Sequence, residues 1–217
     1  MKKVVITGHS SGIGKAICEV LSENDFEIIK FISRLEDVKS LENEAKEIAK
    51  NNEIDVLINC AGFGIFKPHE EIDSKTIAKL IAVNLTAPIL LCNLFLRSLK
   101  KTGGHIINIS SVEATRHSKF SALYTASKSG LRDFSLSLFE EVRKSGVKVT
   151  TINPDITRTN FFDNLSFEPS GELGSHLEAK DIAFSVLEVL NFSGVITDLT
   201  IRPQKLNLTK KHKTLQN

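Results

Sequence analysis

At 217 residues, 41% apolar and 25% charged, the chain is long enough to bury one substantial core and too hydrophobic to be a disordered polymer. Its net charge is only +2, and its main basic cluster, Lys210, Lys211, His212 and Lys213, stands at the end without aromatic stacking residues. That excludes a nucleic-acid partner as the main expectation and predicts a solvated, frayed tail over 205–217. Cys18, Cys60 and Cys92 are widely spaced with no CxxC pair, which argues against a disulfide framework and for reduced thiols in the cytoplasm.

Met1-Lys2-Lys3 leads directly into the apolar run Val4 to Thr7, so a cleavable signal has no room. No run approaches the roughly 18 to 20 apolar residues of a membrane span, and a soluble protein without a membrane partner is expected. In chain order, Val4 to Thr7, Ile28 to Ile32, Asp55 to Asn59, His105 to Ile109, Val147 to Asn153 and Leu199 to Ile201 read as strands. Stretches of helical apolar spacing lie between them: Ile13 to Leu21, Leu41 to Ala49, Ile77 to Leu99, Ala122 to Val142 and Ile182 to Leu190. Strands apolar on both faces that alternate with helices predict a doubly wound, mostly parallel α/β sheet, Rossmann-like, in one domain over 1–217. Asp73 is placed to cap the helix beginning near Ser74, and Gly146 to end the one carrying Tyr124. The stretch from Asn160 to Lys180, with Phe161, Phe162 and Phe167, shows no period and is either a misread element or, the favoured reading, a mobile flap over the substrate.

Thr7-Gly8-His9-Ser10-Ser11-Gly12-Ile13-Gly14 joins the first strand to the first helix. Its glycines let the backbone turn tightly and approach a pyrophosphate, and the free amides at the helix start attract its charge. A strand-to-helix turn also needs glycine for geometry alone. Three residues separate Gly8 from Gly12, which departs from GxGxxG and resembles the TGxxxGIG turn of the short-chain dehydrogenase/reductase family.

The resemblance runs over nearly the whole chain. Asn59-Cys60-Ala61-Gly62 is similar to the family's NNAG segment, which lies beside the adenosine ribose, with Cys60 replacing the second Asn. Asn84, Ser111, Tyr124 and Lys128 stand in the order and approximate spacing of its catalytic tetrad. Pro154-Asp155-Ile156-Thr157-Arg158-Thr159 resembles its PGxVxT segment and implies that Pro154, Ile156 and Thr159 face the nicotinamide end. Asp155 replaces the glycine; a carboxylate there either alters cofactor affinity or points to solvent. Between the second strand and Asn59 the family holds a helix, a strand and another helix, whereas only about 25 residues stand here, so one helix is expected to be missing. Asp37 is placed either as the family's adenine contact or as a plain helix cap.

Ile32, Ser33 and Arg34 occupy the end of the second strand, where an acidic residue would select NAD. Arg34 offers a planar fork matched to a phosphate, so NADP(H) is favoured over NAD(H); the alternative is a solvent-facing arginine. Tyr124 and Lys128 are four apart and share one helix face. A free tyrosine titrates near pH 10, so proton transfer near pH 7 asks for a shift of about three units, or roughly 4 kcal/mol, which the Lys128 ammonium is placed to supply. Ser111 follows a strand that delivers it to the same sheet edge, where it would hydrogen-bond the substrate oxygen. By family analogy Lys128 also holds the nicotinamide ribose. Asn84 interrupts its helix to fix a water joined to Lys128, or is an ordinary polar helix residue.

These features imply a carbonyl/alcohol oxidoreductase with Tyr124 as general acid or base and no metal. The histidines lack ligand spacing and read as surface or turn residues. Glu113, Arg116, His117, Phe120, Phe161 and Phe162 are candidate pocket residues, the phenylalanines suiting an apolar substrate and Arg116 a carboxylate. The ending Thr197 to Gln204 resembles family members acting on 3-hydroxy acids or serine-like compounds. A cofactor-sensing regulator on the same fold is the competing expectation; the complete tetrad argues against it. The helices starting near Ser74 and Ala122 are those through which relatives form homodimers or homotetramers.

Overall fold

Parallel strands with helices on both sides must be apolar on both faces, and the central ones here are. Val4, Val5, Ile6, Leu57, Ile58, Ile106, Ile107 and Ile152 are wholly buried. The computed structural model describes residues 1–211. In chain order the elements are β1 (Lys2–Thr7), α1 (Gly12–Ser22), β2 (Phe26–Lys30), α2 (Val38–Asn51), β3 (Val56–Asn59), α3 (Ser74–Ile81) and α4 (Ala87–Thr102). There follow β4 (His105–Ile109), α5 (Ala122–Val142), β5 (Lys148–Pro154), β6 (Thr157–Arg158), β7 (Phe167–Pro169), β8 (Leu177–Glu178), α6 (Ala179–Asn191), β9 (Asp198–Ile201) and β10 (Leu208–Lys210).

Six strands form one parallel sheet in the order β2-β1-β3-β4-β5-β9. The chain leaves β1 toward β2 and returns on the other side to β3, so the carboxyl ends of β1 and β3 flank a topological switch point. Such a point is where open α/β sheets bind ligands. One core cluster joins Ile17, Leu21, Ile58, Ile182 and Val186 beneath α1 and α6. The other joins Leu41, Leu57, Leu91, Phe95 and Leu138 beneath α2, α4 and α5. Asp73 caps α3 by accepting the N–H of Thr76 at 2.9 Å. Gly146, at φ +82°, closes the 3₁₀ turn Arg143–Ser145 that follows α5.

Four expectations need correction. First, only α2 lies between β2 and β3, and among the described residues no strand pairs with the outer edge of β2. The shortening therefore removes a strand as well as a helix. Second, residues 160–180 carry β7 and β8, held by pairing with β10 and β6. Strands of two or three residues have no period to read. Third, residues 205–211 of the expected frayed tail are tied down: Lys210 belongs to β10, and Lys211 Nζ donates to the carbonyls of Phe162 and Asp163. His212 and Lys213 lie outside the described residues. Fourth, the run Ser74–Thr102 is by length and composition long and apolar enough to cross a membrane. Its apolar face, with Leu80, Leu91, Phe95 and Leu99 at 0% exposure, packs inside the protein.

Candidate active site

The glycine turn owes its shape to two contacts that a side chain would prevent. A Cβ on Gly14 would lie 2.2 Å from the Gly8 carbonyl oxygen, and one on Gly8, at φ +72°, would lie 2.8 Å from Ala61 Cα. Thr7 locks the turn to the neighbouring strand, its Oγ1 accepting the N–H groups of Cys60 and Ala61 at 3.1 and 3.2 Å. Ser11 is the N-cap of α1 and makes no side-chain cap bond, so the first-turn amides, including those of Ile13 and Gly14, keep their donors free of a side-chain acceptor. Beside them lies a cavity of about 350 Å³ lined by Thr7, Gly8, His9, Ser10, Phe31, Ile32, Ser33, Leu35 and Ala61. A cradle with no room for a Cβ, free helix-start amides and a slot at the carboxyl ends of β1 and β2 fit a dinucleotide. Gly12 faces Thr159, whose Cβ would be 3.2 Å from a Cβ at that glycine, so this cleft is narrow at the far end.

Not every sequence candidate lines this cavity. Asn59 is buried in the sheet and donates to Asn108 Oδ1 at 2.8 Å. Asp37 is the N-cap of α2: it accepts the Ser40 N–H at 3.2 Å and the Ser40 hydroxyl at 2.6 Å, which hold its carboxyl below the usual range. No strand ends there, and of the two expected roles Asp37 takes that of the helix cap. Arg34 is exposed on the loop after β2.

The second half of the site is built on α5 and the turn after β4. Tyr124 and Lys128, one helical turn apart, are 6% and 3% exposed, and Ser111 is 7% exposed. The Ser111 hydroxyl accepts the Glu113 N–H at 3.1 Å and stands close enough to the Tyr124 hydroxyl to favour its ionised form. Lys128 Nζ donates to the Ile109 carbonyl at 2.9 Å, and Ser110 Oγ donates to the Lys128 carbonyl at 2.8 Å, which pins α5 to the strand end. Asn84 sits in a π turn, Ala82–Thr86, that interrupts the long helix between α3 and α4. Wholly buried, it donates to the Phe63 carbonyl at 2.9 Å and accepts the Phe63 N–H at 3.1 Å. Gly62 fits between this amide and the lysine: a Cβ there would be 3.2 Å from Lys128 Nζ and 3.3 Å from Asn84 Oδ1.

The electrostatics run against one expectation. Burial pushes the Tyr124 hydroxyl up to about 12, with the neighbouring Ser111 hydroxyl opposing and the Glu113 carboxylate adding a smaller rise. Lys128 does not depress it, because Nζ lies 6.0 Å from the ring centroid and is turned to Ile109. Burial also pulls Lys128 down to about 8. His105 departs from the expected surface role: it is buried, held at about 3 by desolvation, and paired with Thr150 Oγ1 at 2.8 Å.

An aromatic wall covers Tyr124. Phe66 and Phe161 lie 5.3 and 5.9 Å from its ring centroid, and Phe167 packs on Phe66 at 5.3 Å. Phe162 extends the cluster from Phe161 at 5.4 Å. Phe167 belongs to the stretch expected to cover the substrate, whereas nothing in the sequence marked Phe66 except its place in the glycine-flanked segment Gly62 to Phe66 directly after β3. His117 and Phe120 are exposed and stand apart from this wall. Arg116 is committed to Glu113 at 2.8 Å and Asp155 at 3.5 Å. Asp155 is neither solvated nor free: its side chain is wholly buried, pairs also with Arg202 at 2.9 Å, and accepts the Ile156 N–H at 2.9 Å. Thr159 Oγ1 accepts the Phe161 N–H at 3.3 Å, and Pro154 ends β5.

Comparison with known proteins agrees with this architecture. The family model described as short chain dehydrogenase matches residues 32–169. An uncharacterized oxidoreductase of Staphylococcus saprophyticus is 30% identical, with 93% of this chain and 97% of that protein aligned. Carbonyl reductase family member 4 of Xenopus laevis is 32% identical, over 88% of this chain and 92% of the relative. Among solved structures, an alcohol dehydrogenase of Thermococcus sibiricus complexed with 5-hydroxy-NADP superposes with a TM-score of 0.86 at 24% identity, covering 95% of this chain and 98% of that one. The family match and the full-length relatives together make this chain an oxidoreductase that belongs to the short-chain dehydrogenase family.

Proposed function

We propose that this protein interconverts a carbonyl and a secondary alcohol with NADP(H) favoured over NAD(H), Tyr124 passing the proton. The observation that carries the reading is the convergence of three buried groups, Tyr124, Ser111 and Lys128, the lysine one helical turn from the tyrosine, beneath an aromatic wall at the carboxyl edge of the sheet. A bound nicotinamide supplies or accepts the hydride at the substrate carbon. The residues toward the dinucleotide are the Gly8 to Gly14 backbone for the pyrophosphate, Ser33 and Arg34 for the adenosine phosphate, and Thr159 for the carboxamide.

In reduction, Ser111 donates a hydrogen bond to the carbonyl oxygen and Tyr124 gives it a proton; in oxidation the same hydroxyl takes the proton back. Lys128, drawn to about 8 by burial, stays protonated at pH 7; turned from the Ile109 carbonyl toward the hydroxyl when the cleft fills, its charge would favour the phenolate that Tyr124 leaves behind. Asn84, fixed at the helix interruption beside Gly62, positions the lysine end of this chain. Phe66 and Phe161 exclude water and favour an apolar group next to the carbonyl. Arg116, already ion-paired, gives no support to a carboxylate-bearing substrate. The Xenopus relative is named a carbonyl reductase and the Thermococcus neighbour an alcohol dehydrogenase, names for opposite directions of this exchange. We extend the reading to a single domain over 1–217, a cytoplasmic location and a homodimer or homotetramer through the outer faces of the α3–α4 helix and α5.

Titration of NADPH and NADH by cofactor fluorescence, followed by a panel of ketones and keto acids, tests the proposal. Tight NADPH binding with turnover supports it. Binding without turnover on any panel member favours the cofactor sensor, a reading the aromatic cover over Tyr124 also fits. Failure to bind either cofactor sinks both.

A further inference from the structure

At the carboxyl end of β2 the backbone is gripped by a carboxylate from the next helix. Glu44, on α2, accepts the Ile32 N–H through Oε1 at 2.9 Å and the Ser33 N–H through Oε2 at 2.6 Å. Successive amides aimed at one point form an anion cradle. The end of the second strand is also where this class of fold reads the 2′ position of the adenine ribose. Because a single helix joins β2 to β3, its second turn lies over that strand end. Ile32, Ser33 and Glu44 line a cavity of about 550 Å³ there, and Ile32 and Ser33 also line the nucleotide cavity, so the two adjoin.

We infer that Glu44 sets the ratio of NADP to NAD binding, acting against the phosphate that Arg34 attracts. The inference rests on the reading of this cleft as a dinucleotide site. The 2′-phosphate brings about two negative charges to a cradle whose donors already hold a carboxylate. It must displace Glu44 from the amides or lie against a like charge. The free hydroxyls of NAD donate to a carboxylate and meet no such conflict. Arg34, next in the chain, offers a guanidinium to the phosphate and pulls the other way. The selecting carboxylate usual at the end of the second strand is thus delivered here from α2. The cofactor ratio becomes a balance between two side chains ten positions apart in sequence.

The test is fluorescence titration of NADPH and NADH against the full chain and its Glu44→Gln, Glu44→Asp and Glu47→Gln variants, with 2′,5′-ADP and ADP as competitors. Glutamine keeps the length and one acceptor oxygen but removes the charge. We expect NADPH and 2′,5′-ADP to bind Glu44→Gln at least tenfold more tightly, with NADH and ADP within twofold of the parent or weaker. Glu47→Gln, which removes a charge from the same cavity wall without touching the amides, leaves the ratio unmoved. If Glu44→Gln does not fold, Glu44→Asp keeps the charge on a shorter arm and shifts the ratio toward NADPH by a smaller factor. Equal shifts for both cofactors, a weaker NADPH complex, or the same shift in Glu47→Gln would overturn the inference and leave Glu44 a brace for the loop. A parent protein that binds neither cofactor refutes the underlying reading instead.

Discussion

Across the switch point, Ser111, Tyr124, Lys128 and Asn84 are all at most 7% exposed; Lys128 and Asn84 are hydrogen-bonded to a neighbouring strand and loop, Ser111 to its own turn, and Tyr124 is packed against Phe66 and Phe161. On the side of β2, Ser33, Arg34 and Asp37 stand on a loop that is exposed or half-exposed, shaped by Asp37 and Glu44 from α2. Buried polar groups with fixed partners are set before a ligand arrives and are costly to disturb. Groups on a short exposed loop can be exchanged with little effect on the fold. Chemistry and cofactor choice are therefore separable in this chain, and substitutions should divide along that line.

The largest expected effect is at the junction of the two sides. Gly14→Ala places a methyl 2.2 Å from a backbone oxygen that cannot move without opening the turn. A loss of about 3 kcal/mol is expected from overpacking, read by thermal melting, together with at least hundredfold weaker NADPH binding by titration. An alanine variant with normal melting and binding would break the comparison at its hinge.

Asp155→Ala comes next, on the catalytic side. Removing a wholly buried carboxylate leaves Arg116 and Arg202 without it, and because both arginines are partly exposed the expected loss is about 2 to 3 kcal/mol in denaturant unfolding. Cofactor affinity should stay within twofold.

Lys128→Met sharpens the comparison with a gain in stability. Lys128 is pulled from 10.5 to about 8 in the fold. Below about pH 8 both folded and unfolded chains carry its proton, and the cost of a buried ammonium is fully present. From about pH 8 to 10.5 only the unfolded chain holds the proton, so stability rises with pH through that window. Tyr124, raised from 10.0 to about 12, has the opposite sign and lowers stability as pH climbs from 10 toward 12. The lysine shift corresponds to about 3 kcal/mol at 1.36 per unit. The Ile109 carbonyl loses its donor at about 1 kcal/mol, so Lys128→Met should be about 2 kcal/mol more stable at pH 7, without the rise above pH 8. Denaturation curves from pH 6 to 10 check both statements.

Arg34→Ala is the smallest. NADPH binding should weaken about tenfold, equivalent to about 1.4 kcal/mol, with NADH affinity and melting unchanged. A change in melting would place Arg34 in the scaffold instead.

Legibility from sequence differs between the same two regions. The strands β1, β3, β4 and β5 were legible because burial on both faces leaves unbroken β-branched runs, and Tyr124, Lys128 and Ser111 because helix spacing and strand order bring them together. Asn84 was legible only through family spacing, since a π turn has no pattern of its own; Ile77 to Leu99 reads as one continuous helix. Glu44 was not legible at all. It lies on the polar face of an amphipathic helix beside Glu42 and Glu47, and only the fold shows which of the three reaches the strand end. Phe66, on the loop after β3, and Phe167, in β7, meet over Tyr124 through tertiary packing alone.

The central claim is that Tyr124 passes the proton, and the most direct measurement compares wild type with Tyr124→Phe at saturating NADPH on a ketone that the wild type reduces. NADPH affinity and melting should be equal in the two proteins, with turnover lowered by about a thousandfold, within the range for loss of a positioned acid. Undiminished turnover in Tyr124→Phe would contradict the claim.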